Sequence, residues 1–346
     1  METISNTLQQ QWEVLKTENP KLRIRDAAQQ LQVSEAQLVA LGTNNVWLKA
    51  DFEGILKEVE TLGYVMALTR NQHCVHERKG VYKNLSFNGT MGLAVNPDID
   101  LRLFMPHWHF AFAVNEQERL SLQFFDNDGS AVHKIYLTDA SHLKAYQKLV
   151  KKYKNESPAA LAIRPTVASK VSEIPDSDVD IAGFKNAWLA LKDTHQFFGM
   201  LHNFKVSRLQ AMRLAPPNHA KEISLDAFKK IFKTLSNRAI PVMVFTASAG
   251  CIQIHTGTVI KIVETGFWFN VLDTEFNMHL NQTGISSIWV VKKPTDDGIV
   301  TGIEIFDNEG KTIVQFFGKR KPGIAESLAW RAVVETFSVG NRMVHG

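Results

Sequence analysis

The chain has 346 residues, of which 45% are apolar and 21% are charged, and its formal net charge is +4 at pH 7. This composition excludes the disordered and collagen-like classes, and no apolar run approaches the roughly 20 residues that a membrane-spanning helix needs. The amino terminus has neither the basic nor the apolar region of a secretory signal, so a cytoplasmic protein is expected.

The first half of the chain predicts helices followed by strands. Residues 5–19 and 26–62 carry apolar side chains at helical spacing, and Ser34 is a typical N-cap. From 64 to 136 the pattern changes to short β-rich runs separated by Gly, Asn and Asp. Residues 127–129 (Asn-Asp-Gly) have the composition of a hairpin turn. A helical layer followed by an antiparallel meander is therefore expected.

The second half repeats this order after a linker. Residues 156–182 are rich in Ser, Pro and Asp, which is typical of a linker. Helical spacing returns from 183 to 236, and β-rich runs follow from 242 to 317. The predicted domains are an N-terminal repeat, residues 1–155, and a C-terminal repeat, residues 183–346.

Sequence similarity between the halves indicates a single internal duplication. Residues 121–129 (Ser-Leu-Gln-Phe-Phe-Asp-Asn-Asp-Gly) return as residues 302–310 (Gly-Ile-Glu-Ile-Phe-Asp-Asn-Glu-Gly), and Cys74 returns as Cys251. Both cysteines are expected to be buried and reduced. The predicted fold class is α+β, a tandem repeat in which each half has N-terminal helices followed by an antiparallel sheet. The two repeats are expected to pack together with a ligand cleft between them.

Differences between the two copies point to possible chemistry. One helical face of the second copy is predicted to carry five side chains: Trp188, Leu191, His195, Phe198 and His202. His195 would then lie in an apolar stripe, where an unpaired imidazole costs desolvation energy. Gly199 would let a flat group approach the helix, and the first copy has Asn19 and Pro20 at the position of His195 and its neighbour. His195 is either a ligand for a bound group or a core histidine hydrogen-bonded to a carbonyl.

A second difference concerns the strands. Arg102 and Phe104 are two residues apart and so share one side of a strand, whereas the second copy has Asn277 and His279 there. Taken alone, this pair could be a surface arginine stacked on its neighbour.

A third difference concerns basic residues. Arg208 follows Ser207 in the second copy, where Glu35 follows Ser34 in the first, and Lys293 and Arg320 are likewise confined to the second copy. This charge reversal suggests an anion that only the second copy meets. An imidazole, an Arg–Phe pair and basic residues together suit a flat apolar ligand with a metal and two acidic tails, and heme has that chemistry.

These segments resemble the HemS/ChuS/PhuS family of cytoplasmic heme-handling proteins of Gram-negative heme-uptake systems. The resemblance covers essentially the whole chain and rests on residues 98–104, 188–200, 290–295 and 315–323. It implies that His195 is the axial, proximal ligand of heme iron, and that Arg102 is a hydrogen-bond donor on the distal side.

The resemblance also assigns the remaining site residues. The groups expected at the heme propionates are Arg208, Lys293, Gln315 and Arg320. The expected pocket walls are Phe104 and Phe245. Arginine suits a propionate because it can donate two hydrogen bonds to one carboxylate.

The function implied is a cytoplasmic protein that accepts imported heme b and either traffics it or degrades it oxidatively to release iron. His195 and Arg102 would be the catalytic residues of this heme oxygenase-like activity, with an external reductant and a fold other than that of heme oxygenase-1. The alternative is a non-catalytic carrier or reservoir that delivers heme to a separate heme oxygenase. The implied partners are heme, an electron donor, and a heme-accepting protein or an inner-membrane heme importer, without membrane insertion.

Other patterns are weaker. Cys74 and His76 share a strand face within residues 73–76 (His-Cys-Val-His), as do His107 and His109. Each pair lacks a third or fourth ligand, so structural or surface roles are expected. The basic run 148–154 is expected to be a solvated helix face, and nucleic-acid binding is not expected. The chain has no dinucleotide-binding or P-loop motif.

Overall fold

Helices precede strands in both halves, so the α+β tandem-repeat prediction is confirmed. The computed structural model describes residues 2–158, 160–164, 173–321 and 323–338, with the side chains of residues 2–6 left aside. The predicted linker, 156–182, includes residues 159 and 165–172, which lie outside the described residues.

The chain forms two compact units. Unit 1 comprises the described residues within three ranges: Met1–Arg70, Glu77–Val167 and Ala247–Gln253. Unit 2 comprises those within three others: Asn71–His76, Ala168–Thr246 and Ile254–Gly346. Each unit thus includes a short segment from the opposite half of the chain, an exchange that the predicted domain boundaries lack.

The first half of the chain contains five α-helices and nine strands within the described ranges. The helices are α1 (Glu2–Glu18), α2 (Ile24–Gln30), α3 (Glu35–Ala40), α4 (Phe52–Glu58) and α5 (Leu143–Tyr153). The strands are β1 (Val46–Trp47), β2 (Gly63–Arg70), β3 (Cys74–Val81), β4 (Leu85–Asn88), β5 (Met91–Val95), β6 (Asp100–Phe104), β7 (Phe110–Glu116), β8 (Arg119–Phe125) and β9 (Ala131–Ser141).

In unit 1 the strands are ordered β1-β7-β8-β9-β2-β3, and β4-β5-β6 form an antiparallel ribbon. One face of the larger sheet packs against α4 and α5, because Leu56, Leu149, Phe124 and Ile135 all point into one buried cluster. Ser34 caps α3 as predicted, through a capping box with Gln37. The apolar face of the sheet is therefore buried against a layer of helices, and the two layers share one core.

The second half repeats this arrangement. Its described helices are α6 (Ile181–Leu189), α7 (Gln196–Phe204), α8 (Arg208–Leu214), α9 (Leu225–Asn237) and α10 (Leu328–Ser338). Its described strands are β10 (Ala220–Glu222), β11 (Val242–Ala247), β12 (Cys251–Gly257), β13 (Ile262–Thr265), β14 (Trp268–Leu272), β15 (Phe276–Asn281), β16 (Ser287–Thr295), β17 (Gly298–Phe306) and β18 (Thr312–Gly318).

In unit 2 the strands are ordered β10-β16-β17-β18-β11-β12, and β13-β14-β15 form the equivalent ribbon. One face of the sheet packs on α9 and α10, where Phe228, Phe232 and Trp330 are fully buried. On the other face, Val291 and Phe306 pack against α6, α7 and α8. This second face positions the candidate site.

Several local predictions are confirmed. Both hairpin turns form, and each uses a glycine with φ of +77°, at Gly129 and Gly310. Cys74 and Cys251 are both buried and free. The lysines of the basic run 148–154 lie on exposed positions in and just after α5. None of the helices within the described part of the chain is both long and apolar enough to cross a membrane.

Candidate functional site

The predicted single helix around His195 is wrong. Helix α6 ends at Leu189 and α7 begins at Gln196, so a loop separates the two. Trp188 is fully buried, whereas the side chain of His195 is 90% exposed. The two residues therefore do not share a face, and the alternative of a core histidine is also wrong. The loop forms because Asp193 offers the backbone an acceptor that competes with helical hydrogen bonding.

Asp193 holds both the backbone and the ring of His195. Its Oδ1 accepts the backbone N–H of His195 over 2.7 Å and lies 2.6 Å from the ring Nδ1. A carboxylate can only accept, so Nδ1 carries the proton that it donates. In the neutral form of the ring, which carries a single proton, Nε2 then keeps its lone pair. The hydrogen bonds from His195 lower the pKa of Asp193, and Arg320 contributes through its charge.

Further hydrogen bonds anchor this loop within unit 2. The side-chain Oε1 of Gln196 accepts the backbone N–H of Lys192 over 2.9 Å. The backbone N–H of Asp296, in the β16–β17 hairpin, donates to the Lys192 carbonyl over 2.9 Å. Trp188 Nε1 donates to the carbonyl of Lys292 over 3.0 Å. His195 is therefore presented from a loop that is closed on itself and tied to β16 and the β16–β17 hairpin.

The outward face of α7 beside His195 is apolar and open. Phe198 is 75% exposed, which is unusual for an aromatic side chain. A Cβ added at Gly199 would have no heavy atom within 4 Å, so Gly199 presents bare helix backbone to solvent. His202 lies further along the same exposed face. This surface has space for a flat apolar group next to the imidazole.

A buried charge cluster lies behind α7. Glu304 on β17 is fully buried and receives three hydrogen bonds: from Arg208 Nε at 2.5 Å, from an Arg208 terminal nitrogen at 3.0 Å and from Lys293 Nζ at 2.7 Å. The side chain of Lys293 is itself buried, with 4% of its surface exposed. Two cations on one carboxylate leave the cluster with a net positive charge.

Burial and charge pairing set the ionisation of this cluster. Burial acts to raise the pKa of Glu304, but attraction to Arg208 and Lys293 outweighs it and holds that pKa well below its usual range. Burial lowers the pKa of Lys293 to about 8, with Glu304 opposing the shift and Arg208 adding to it. Lys293 Nζ lies 4.1 Å from the centroid of the Phe197 ring, and the Arg208 guanidinium lies 5.3 Å from it. The two cations of the cluster therefore pack against the ring of Phe197, two residues after His195.

The first repeat has the opposite charge at the helix position that matches Arg208. There Glu35 on α3 pairs with Lys134 on β9, and both side chains are buried. The strand registers pair Lys134 with Gln123, as they pair Gln315 with Glu304 in the second repeat. The basic excess predicted for the second copy is thus real, although Glu304 already supplies an internal anion.

Gln315 on β18 and Phe245 on β11 are paired across adjacent strands, so their side chains lie on the same face of the sheet. Among the described residues, Nε2 of Gln315 is buried without a hydrogen-bond partner. Phe245 packs edge-on against Phe317, with ring centroids 5.3 Å apart. Arg320, just after β18, contacts Asp297 over 3.3 Å. Together these residues provide an aromatic wall and a donor in need of an acceptor, in the same unit as His195.

Arg102 and Phe104 belong to unit 1. They share one face of β6 as predicted, and the Arg102 guanidinium donates to Asp100 and, over 3.2 Å, to the Leu101 carbonyl. Strand pairing places Leu93 opposite Arg102 and Met91 opposite Phe104, and both partners are more than one-third exposed. The strand therefore presents an apolar surface with one cation at its edge.

His107 and His109, the histidine pair of unit 1, both lie close to one carboxylate. Asp126 lies 3.1 Å from His107 Nδ1 and 3.4 Å from His109 Nδ1. No group of three or more His, Cys, Asp or Glu side chains is arranged to hold a metal ion within the described ranges.

Sequence reasoning missed Asp193 and Glu304. Asp193 was detectable, because an Asp side chain commonly accepts the backbone N–H two residues further on and so favours a turn. Glu304 aligns with Gln123 inside the repeat, so its charge was a visible difference between the copies. Its burial between two cations depends on packing across strands and could not be read from the chain.

Comparisons with known proteins agree with this architecture. The Haemin-degrading HemS.ChuX domain matches residues 32–153 and 205–337. The hemin transport protein HemS of Yersinia enterocolitica is 34% identical over 335 residues, covering 95% of this chain and 96% of that protein. Apo-PhuS, a heme-binding protein from Pseudomonas aeruginosa, is 44% identical with a TM-score of 0.92, covering 96% of this chain and 99% of PhuS. The Escherichia coli O157:H7 heme degrading enzyme ChuS is 32% identical with a TM-score of 0.89, covering 96% and 99%.

Proposed function

The chain belongs to the haemin-degrading HemS/ChuX family, and from this premise we propose that it is a cytoplasmic heme-handling protein. It would accept heme and either pass it on or open the ring to release iron. A relative that is a hemin transport protein and another that is a heme degrading enzyme support both outcomes for the family.

The observation that carries the proposal is the exposed imidazole of His195. Its Nδ1–H is engaged by Asp193, so the free Nε2 is available as an axial ligand for heme iron. Phe198 and the open backbone at Gly199 would contact the porphyrin ring. Binding would bury apolar surface that is exposed without heme, which favours association.

The heme propionates would interact with the basic side of unit 2. The cluster of Arg208, Lys293 and Glu304 has a net positive charge, which favours a nearby carboxylate. The unpartnered Nε2 of Gln315 could donate to a propionate oxygen. Arg208 has the most exposed side chain of the three cations, at 27%, whereas that of Arg320, just after β18, is 16% exposed. Phe245 would pack against the ring.

For Arg102 and Phe104 the proposal rests on the family resemblance and on their chemistry. A guanidinium stays protonated and has no lone pair for iron, so Arg102 would act as a hydrogen-bond donor to a small molecule at the distal side. It would first have to leave Asp100. Phe104 and its exposed apolar neighbours would exclude water. Heme supplies the redox chemistry, and the chain supplies ligation, orientation and a dry environment.

Hemin titration tests heme ligation directly. We expect His195→Ala to lose the Soret spectrum of the wild-type complex and to bind hemin at least tenfold more weakly. His202→Ala is the matched control, because it removes an exposed imidazole from the same helix face and should leave the spectrum unchanged. Equal spectra and affinities for the wild type and His195→Ala would overturn the assignment of the ligand.

A second assay separates degradation from transport. The hemin complex is mixed with a physiological reductant in the presence of catalase, and the Soret band, carbon monoxide and released iron are followed. Loss of the band with stoichiometric products, abolished in His195→Ala, supports an enzyme. A band that stays stable under these conditions supports the carrier, which would deliver heme to a separate heme oxygenase.

A further inference from the structure

We propose that Asp193 is a positioning residue that fixes the tautomer of His195 and strengthens its Nε2 as a ligand. This inference rests on the proposed function, because it concerns the imidazole that would bind heme iron. It adds a residue that acts through His195 and does not itself touch the heme.

The geometry gives Asp193 two separable tasks. Its Oδ1 accepts the backbone N–H of His195 over 2.7 Å, which closes a tight turn and sets the direction of the side chain. The same oxygen lies 2.6 Å from Nδ1, which sets the position of the ring proton. One carboxylate oxygen thus controls both where the imidazole points and which nitrogen it presents.

The ring-proton contact matters because the two nitrogens of imidazole are not equivalent. The nitrogen that is free to bind a metal is determined by the hydrogen bond that the other nitrogen makes. A carboxylate partner also raises the basicity of the ligating nitrogen, and loss of such a partner typically costs about 10- to 100-fold in metal affinity. A neutral acceptor at the same place would orient the ring but polarise it less.

The surroundings favour this task over a plain surface contact. His195 is 90% exposed, so its orientation has to come from the loop and not from side-chain packing. The loop is closed by Gln196 on Lys192 and fixed to the β16–β17 hairpin through Asp296. Asp193 therefore orients the imidazole relative to the fixed backbone of the loop.

Two substitutions separate the two tasks. Asp193→Asn retains an oxygen that can accept both hydrogen bonds but removes the charge, whereas Asp193→Ala removes both acceptors. Asp226→Asn, an exposed aspartate of α9 in the same unit, is the control for loss of one negative charge. Circular dichroism and thermal melting check that each variant is folded.

The first readout needs no heme. In protein labelled with ¹⁵N-histidine, NMR shows which ring nitrogen of neutral His195 carries the proton. We expect Nδ1–H in the wild type and in Asp226→Asn, and a shift toward Nε2–H in Asp193→Ala. A proton that stays on Nδ1 to the same extent in Asp193→Ala would overturn the inference.

The second readout uses the hemin complex. Asp193→Ala should bind hemin about 10- to 100-fold more weakly. Asp193→Asn should retain most of the affinity but lower the iron–histidine stretching frequency of the ferrous complex in resonance Raman spectra. An unchanged frequency and affinity in both variants, with binding still lost in His195→Ala, would reject the role of Asp193 and leave the proposed function standing. If His195→Ala binds hemin like the wild type, the ligand assigned in the proposed function is wrong instead, whereas the NMR result on Asp193 stands on its own.

Discussion

Arg208 donates two hydrogen bonds to the fully buried Glu304, whereas Glu35, which takes the place of Arg208 in the first repeat, pairs with Lys134. Both repeats thus place an ion pair between the helix that follows a capping serine and the central strands. Only the second adds another cation, Lys293, to the same carboxylate. The duplicated fold has kept the helix position of the pair, has reversed its charge, and has moved the partner from the strand that matches β18 to β17.

Removal of the Glu304 charge should strongly destabilise unit 2. In Glu304→Gln, Arg208 and Lys293 would be close together in the interior without a carboxylate, and breaking a buried ion pair costs about 3–5 kcal/mol. Urea unfolding should show this loss. Glu309→Gln, in the neighbouring turn with a half-exposed side chain, should change the free energy of unfolding by less than about 0.5 kcal/mol. Equal stability of the two variants would contradict the role of the cluster.

Lys293 should make stability depend on alkaline pH. Its pKa is lowered by burial to about 8 from 10.5, so the folded protein releases this proton before the unfolded chain does. The unfolded state then binds more protons, and the free energy of unfolding should rise between pH 8 and pH 10.5. Urea unfolding at several pH values in this window should show a weaker rise in Lys293→Met than in the wild type. Lys311→Met, an exposed lysine, serves as the control.

His133 should contribute to acid unfolding of unit 1. It is buried between Thr69, 2.8 Å from Nδ1, and Tyr82, 2.6 Å from Nε2. Burial lowers its pKa to about 3 from 6.5. Between these two pH values the unfolded chain is protonated at His133, whereas the folded protein is not. Stability from this residue is therefore present above pH 6.5 and decreases as the pH falls toward 3.

The substitution His133→Gln should flatten this pH dependence. Trp108 has its ring centroid 6.3 Å from that of His133, so its fluorescence during urea unfolding at pH 4 to 7 is a suitable local signal. His202→Gln, which changes an exposed imidazole, should retain the wild-type slope. A wild-type slope in His133→Gln would show that other groups cause the acid sensitivity.

Gly199 should separate folding from ligand binding. Its added Cβ meets no heavy atom within 4 Å, so Gly199→Ala should stabilise α7 by about 0.5–1 kcal/mol through the helix propensity of alanine. Gly199→Leu should fold equally well but obstruct the porphyrin beside His195 and weaken hemin binding at least tenfold. Thermal melting and hemin titration measure the two effects. Unchanged hemin affinity in Gly199→Leu would place the porphyrin elsewhere.

The sequence by itself determined the tandem α+β organisation, because hydrophobic periodicity and turn residues are local and occur twice. It also determined the capped start of α3 and the two glycine turns, where the side chains act on their own backbone. It identified the differences between the copies at His195 and Arg208 by direct alignment.

Tertiary structure decided the environments of these residues. The exposure of His195 follows from a loop closed by Asp193, which interrupts an apparent helical period. Lys293 is buried where its side chain reaches Glu304 on the adjacent strand β17, although the strand register pairs Lys293 with Val300. Helical spacing is set by neighbouring residues along the chain, whereas burial and ion pairing depend on residues that are distant in sequence and meet only after the strands have paired.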